Sequence, residues 1–294
     1  MKNFVCAVVV TYHPKPEDIE NLAKVRPQVE DLVVVDNGSS AETLKLLRAA
    51  SAAGTYTLIE NGENLGIAAA LNMGVQYSID RGFVWTILFD QDSSVTPDYI
   101  SAMLKAIEST KESFLNVGIF CPRYVDRNTG IERPLFNVDE YGEPLSNMTS
   151  GSMIPNELFK RIGLFSEELF IYCVDDEFCL RARKYGYRLM RVSDATLLHS
   201  EGEAQYKTVL GVSYYVTNQS AQKRYYIMRN QLWVYRRYPL SFPAINSSVS
   251  NLLRIAKTAL RTLVLESDRF AKACAMIKGT FDFLRNRMGK VIEL

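Results

Sequence analysis

The chain has 294 residues, 47% of them hydrophobic and 23% charged, and its 34 Lys+Arg against 33 Asp+Glu leave a net charge of +1. This composition excludes disordered, collagen-like and low-complexity classes, and the near-neutral total argues against a protein that coats nucleic acid through its overall field. No apolar run reaches the ~20 residues of a membrane-spanning helix, and the length suits one large α/β domain or two average ones.

Taken in chain order, Val5–Val10 reads as a buried strand and Lys15–Val25 as a helix. A strand at Leu32–Val35 leads through Asp36-Asn37-Gly38-Ser39-Ser40 into a helix from Ala41 to Ala50. Thr55–Ile59 is a third strand, Ile67–Arg81 a helix, Val84–Phe89 a fourth strand and Pro97–Ser109 another helix. Short, fully apolar strands alternating with helices imply parallel βαβ units buried on both faces. Beyond residue 115 come a strand and turn over Phe120–Ile131, a strand at Ser150–Ile154, a helix at Asp175–Tyr185, and strands at Tyr187–Val192 and Ala195–His199. From Gln219 the pattern is helical, with Ser250–Glu266 and Ser267–Met288 as the last two helices.

The five cysteines are Cys6, Cys121, Cys173, Cys179 and Cys274, an odd number without a CxxC pair. With only His13 and His199 to accompany them, they suit reduced core thiols in an intracellular setting better than zinc ligands.

Acids punctuate the strand ends. Asp36 follows an apolar strand, where a carboxylate either receives a nucleobase or sugar or helps cap the next helix. Asn61-Gly62-Glu63-Asn64-Leu65-Gly66 opens onto a helix whose free N–H groups can face an anionic ligand, although its spacing is not that of a dinucleotide site. Asp90-Gln91-Asp92 ends the fourth strand, and two such carboxylates can hold Mg²⁺ or Mn²⁺ together with a nucleotide sugar, or form a solvated turn. Asp175-Asp176-Glu177 opens a helix after the apolar Leu169-Phe170-Ile171-Tyr172. There an acid either satisfies the helix dipole or is desolvated enough to serve as a general base. His199, in Leu197-Leu198-His199-Ser200-Glu201-Gly202, ends a strand and becomes a metal or diphosphate contact if Asp92 is near. Arg224 and Arg229, in Lys223-Arg224-Tyr225-Tyr226-Ile227-Met228-Arg229-Asn230, suit phosphate oxygens or a solvated helix face.

Six segments in order resemble glycosyltransferase family 2, an inverting family with the GT-A fold. They are VVVTY at 8–12, VVVDNGSS at 33–40, NGENLGIAAALNMG at 61–74, LFDQDSS at 88–94, VDDEFCLRARKYGY at 174–187 and KRYYIMRN at 223–230. The resemblance spans residues 5 to 238 and is closest to the bacterial rhamnosyltransferase branch.

It implies a mostly parallel mixed sheet flanked by helices, with a catalytic domain at 1–238 and a helical extension at 239–294. It also implies donor contacts at Thr11, Asp36, Asn64, Gly66, Asp90, Gln91 and Arg229, with Asp36 on the base, Asp90 on a sugar and Arg229 on the diphosphate. Mg²⁺ or Mn²⁺ would sit on Asp92 with His199, and the base would be Asp175 or its neighbour Asp176. Ser150, Gly151 and Glu177 would serve the acceptor.

The activity so implied is metal-assisted transfer of L-rhamnose, with inversion, from a dTDP-sugar donor to a glycan or lipid-linked acceptor in surface polysaccharide (O-antigen) synthesis. Another hexose is the alternative donor. A sugar nucleotidyltransferase would need a Gly- and basic-rich N-terminal loop, which Thr11-Tyr12-His13-Pro14 is not.

The total charge hides a polarity. Residues 223–294 hold 14 Lys+Arg and 4 Asp+Glu, a net of +10, which leaves −9 for residues 1–222. Arg254, Lys257 and Arg261 flank an apolar face on one tail helix. On the other, Phe270, Cys274, Ile277, Phe281, Leu284 and Met288 form a stripe amid Arg269, Lys272, Lys278, Arg285 and Arg287. Such helices either lie on an anionic membrane or pack on the catalytic domain or a second subunit, so the expectation is a cytoplasmic protein able to sit peripherally on the inner membrane or to form a homo-oligomer.

Overall fold

A computed structural model describes residues 5–110, 116–127, 130–132, 135, 138–199, 205–209, 212–239 and 248–292, with the backbone alone for 205–209, 212–215 and 248–252. Ser200, Glu201 and Gly202, which follow His199 in its motif, lie outside the described residues. The chain forms two compact units: residues 1–167 with 174–200, and residues 168–173 with 201–294. The second unit therefore begins ahead of the boundary expected at 238, because the helix that carries KRYYIMRN packs with the C-terminal helices.

The first unit is built on β1 (Val5–Thr11), β2 (Asp31–Asp36), β3 (Thr57–Glu60), β4 (Trp85–Asp90), β5 (Ser94–Val95), β6 (Val117–Asp126), β7 (Met153–Pro155) and β8 (Arg188–His199). They form one sheet in the order β3-β2-β1-β4-β7-β6-β8-β5. β3, β2, β1 and β4 run parallel, β7 is antiparallel to both neighbours, and β5 is antiparallel to β8. β1 is buried along its whole length, as expected of a central strand covered by helices on both faces.

Those helices are α1 (Pro16–Val25), α2 (Ala41–Ala52), α3 (Ile67–Asp80), α4 (Tyr99–Thr110), α5 (Asn156–Ile162) and α6 (Val174–Lys184). Local chemistry starts them where the sequence predicts. Pro16 stands at the first turn of α1, and Ser40 caps α2 by accepting from the Thr43 N–H at 3.3 Å. The core beneath gathers Val9, Val34, Ile87 and Phe89 from the strands with Leu22, Leu47, Tyr99 and Met103 from the helices.

Two strands predicted around residues 187–199 are a single strand, β8. It passes its partner β6 through a register shift: Val192 faces Pro122, and Thr196 faces Arg123. The polar Ser193-Asp194 pair that reads as a break is taken up as a bulge.

The second unit holds an antiparallel hairpin of β9 (Gln205–Val209) and β10 (Val212–Val216), then α7 (Ala221–Arg237), α8 (Ser248–Leu265) and α9 (Arg269–Leu284). α9 crosses α7 closely: a Cβ at Gly279 would lie 2.6 Å from the Tyr225 carbonyl oxygen. Between them Tyr225 donates to Asp282 at 2.8 Å, and Met228, Ile255 and Met276 form an apolar cluster with α8. Glu266 is buried and bonds both Arg224 and, at 3.0 Å, Lys272, so the inward cations are paired. The apolar stripe predicted on α9 is not the face that packs; Lys272, Met276, Gly279, Asp282 and Phe283 are. Among the described residues no helix is long and apolar enough to cross a membrane.

Candidate active site

The parallel register aligns the C-terminal ends of three adjacent strands. Thr11 pairs with Asp36 and Val10 with Asp90, so β2, β1 and β4 deliver their last residues to one edge. In open α/β sheets that edge is where ligands bind.

Asp36 is fully buried and organises the loop behind it. Its Oδ2 accepts the N–H groups of Gly38 at 3.1 Å and Ser39 at 2.9 Å, and its Oδ1 accepts the Thr11 hydroxyl at 3.3 Å. A Cβ on Gly38, where φ is +91°, would stand 2.4 Å from the Glu63 carbonyl carbon, so this loop can lie against the next only as glycine. Asn64 accepts from the Gly66 N–H at 3.0 Å and the Asn37 amide at 3.1 Å, while Asn37 accepts from Asn61 and from the Leu65 N–H. Gln91 accepts the Tyr12 N–H at 2.7 Å, joining the loop after β4 to that after β1. Thr11, Asp36, Asn64, Gly66 and Gln91 thus knit four strand-end loops into one rim.

Asp90, Asp92 and His199 come together at this edge, with one ligand atom of each within 4.8 Å of the others. The juxtaposition has a tertiary cause: β5, directly after the Asp90-Gln91-Asp92 turn, pairs with the end of β8, Ser94 against Leu198. His199 Nδ1 is buried without a hydrogen-bond partner and lies 3.6 Å from Asp92 Oδ1. That distance is too long for a hydrogen bond, yet it suits two ligands of one ion, which in octahedral geometry stand ~3 Å apart. An orphaned imidazole nitrogen beside two carboxylates fits a divalent cation. Burial, and then the charge of Asp92, push the Asp90 carboxyl up to about 7, so the group is poised to give up its proton to a cation.

Asp175 and Asp176 begin α6. Burial raises Asp175 to about 7; a hydrogen bond from Thr149 opposes this, while Asp176 and Asp90 add to it. Thr149 donates to Asp175 at 2.6 Å, and Ser146 donates to Asp176 in a very short bond. The segment that supplies both hydroxyls is itself pinned to β4: the Gly151 N–H reaches Leu88 O at 2.6 Å and the Asp90 N–H reaches Ser150 Oγ at 3.0 Å.

Four of the expected residues are placed as follows. Ser150 and Gly151 are buried, and the Tyr124 and Tyr99 hydroxyls donate to their respective carbonyls, both at 2.7 Å. Glu177 is buried and pairs with Arg181 at 2.8 Å, and Arg181 in turn holds the carbonyls of Ile162 and Leu164. Arg229 lies in the second unit and is fully buried there; its three nitrogens donate to Gly289 O, Leu169 O and Asn230 Oδ1.

Sequence reasoning also missed three residues that hold the acids. Thr149 and Ser146 precede Ser150 and Gly151 in the same loop. Arg127, just past β6, donates its backbone N–H to His199 O at 3.0 Å and its guanidinium to Asp92 O at 2.8 Å, bridging the two. A hydroxyl-rich loop was a readable signal for the first two; nothing local marks Arg127.

The chain is similar over 96–97% of its length to solved glycosyltransferase-fold structures. They include S. aureus TarS 1-349 (TM-score 0.60, 14% identity, 82% of that chain) and the mannosyltransferase PcManGT from Pyrobaculum calidifontis in complex with GDP-Man and Mn²⁺ (TM-score 0.59, 16% identity, 87% of that chain). It spans about half, 49%, of the longer TarS chain. These likenesses show the GT-A fold. Residues 6–172 match the family described as Glycosyl transferase family 2, and the chain belongs to that family. Among curated relatives it is 31% identical to the dTDP-rhamnosyl transferase RfbF of Shigella flexneri over 81% of each chain. It is 25% identical to the low-salt glycan biosynthesis hexosyltransferase Agl10 of Haloferax volcanii, over 66% of this chain and 67% of that one.

Proposed function

We propose that the protein transfers L-rhamnose from dTDP-L-rhamnose to a hydroxyl of a glycan or lipid-linked acceptor, inverting the anomeric centre, with Asp175 as the base. The observation that carries the donor assignment is the likeness to RfbF across four-fifths of both chains. Transfer of another hexose is the second reading, favoured by the weaker likeness to Agl10.

Asp92 and His199, with Asp90 beside them, would hold Mg²⁺ or Mn²⁺, which when bound neutralises the donor's diphosphate. The rim shaped by Asp36, Asn64, Gly66 and Gln91 receives the nucleoside. Asp175 takes the proton of the acceptor hydroxyl. The freed oxygen bonds to the anomeric carbon from the face opposite the diphosphate, and the breaking carbon–oxygen bond leaves its electron pair on the phosphate oxygen. A carboxyl raised to about 7 suits this task, since a base works best near the ambient pH. Thr149 fixes which oxygen of Asp175 is free by occupying Oδ1.

Incubation with dTDP-rhamnose, UDP-hexoses and GDP-hexoses, each with Mg²⁺ or Mn²⁺, tests the assignment through nucleoside diphosphate release. Release from dTDP-rhamnose at least about ten-fold above the others supports it, and preference for a UDP- or GDP-sugar overturns it.

A further inference from the structure

Helix α8 buries Ile255 and Leu265, and α9 buries Lys272, Met276, Gly279, Asp282 and Phe283, yet both helices also carry apolar side chains on their outer faces. On α9, Phe270, Cys274, Ile277, Phe281 and Leu284 recur at spacings of three and four, so at ~100° per residue they share an arc of ~80°. All five are exposed, Phe270 by 84% and Leu284 by 67%. On α8, Leu253, Leu260 and Val264 repeat the pattern, each at least half exposed. A helix packed on its own domain normally points such a stripe at the core, and on α9 the stripe lies outside instead.

Charge lines the same surface. Arg285 stands ~60° round α9 from the centre of the stripe, and Lys257 lies within the α8 stripe between Leu253 and Leu260, while the Lys278 ammonium lies over the Tyr225 ring, 5.7 Å from its centroid. From Ser248 to Leu284 the acids are Glu266, Asp268 and Asp282, of which Glu266 and Asp282 are buried. Asp268, at the start of α9, is the one acid exposed there.

We propose that the outer face of α8 and α9 docks on an anionic lipid surface, its aromatic and aliphatic side chains entering the headgroup boundary while Lys257 and Arg285 meet lipid phosphates. Exposed apolar groups ringed by cations match the chemistry of such a surface. Self-association through this face would set like charges against each other.

Flotation of the full chain with neutral phosphatidylcholine vesicles and with vesicles containing about 30% phosphatidylglycerol tests the inference. The protein is expected to float with the anionic vesicles and to remain behind with the neutral ones. Lys257→Gln with Arg285→Gln should lower partitioning about 25-fold, about five-fold per charge. Ile277→Ser with Phe281→Ser should abolish it, with thermal unfolding unchanged because both side chains are exposed. Equal flotation with both vesicle types, or none with either, overturns the inference. So does a dimer in light scattering that the Ile277→Ser, Phe281→Ser variant splits.

Discussion

Replacing Asp175 by Asn is expected to abolish transfer while making the protein more stable at alkaline pH. The carboxyl titrates near 7 in the folded chain, against an ordinary value of about 3.9 when unfolded. Below pH ~4 both states hold the proton and the substitution changes nothing. Between pH 4 and 7 the unfolded chain releases a proton that the native state retains, so native stability falls as pH rises; above 7 the full cost is present. Unscreened, that cost is about 4 kcal/mol; partial exposure of the residue to solvent reduces it to about 2 kcal/mol. Asn is isosteric and its carbonyl still accepts from Thr149, so the native geometry is kept. For a chain of this size, melting at pH 8 should rise by about 4 °C, with a smaller gain at pH 5. Differential scanning fluorimetry across pH, beside nucleoside diphosphate release with acceptor present, reads both effects. Wild-type transfer should fall as pH drops through about 7, where Asp175 gains its proton. Retained turnover in the Asn variant, or a melting temperature at pH 8 equal to or below wild type, would refute the reasoning.

Asp92→Ala or His199→Gln should weaken Mn²⁺ binding at least about ten-fold in calorimetry, and Arg127→Ala less, because Arg127 touches only their backbone carbonyls. Gly151→Ala places a methyl 2.5 Å from the Tyr99 hydroxyl at a φ of +78°; a loss of about 2–3 kcal/mol, read by denaturant titration, is expected, together with reduced turnover. Unchanged stability would show that the segment can yield. Asn230 donates to the carbonyls of Leu169, Ile171 and Tyr172 at 2.8, 2.7 and 3.0 Å, in a stretch where Phe170, Tyr172 and Cys173 all have positive φ. Asn230→Ala should therefore cost about 2–4 kcal/mol and raise hydrogen exchange at residues 169–173, and protection equal to wild type would sink that account.

Much of the first unit was legible because its signals are local. Short apolar runs bounded by turn residues read as strands covered on both faces, and Ser40 and Pro16 mark helix starts by chemistry that needs no distant partner. The strand-end position of Asp36, Asp90 and Asp92 follows directly. The β9–β10 hairpin escaped notice, as its polar Lys and Ser residues give no clean alternation, and β8 was split at a polar pair that the sheet absorbs as a bulge.

The sequence by itself determined the element order, the family and which carboxylates stand at strand ends, since each depends on short-range periodicity or on motifs contiguous in the chain. Only the tertiary structure brought His199 to Asp92 through the pairing of β5 with β8, set Thr149 on Asp175, and buried Arg229 and Glu177 with partners of their own. It also decided which side of α9 is covered. An amphipathic pattern states that a helix has two faces, but a buried ion pair and a glycine crossing reversed the side that polarity alone would have turned inward.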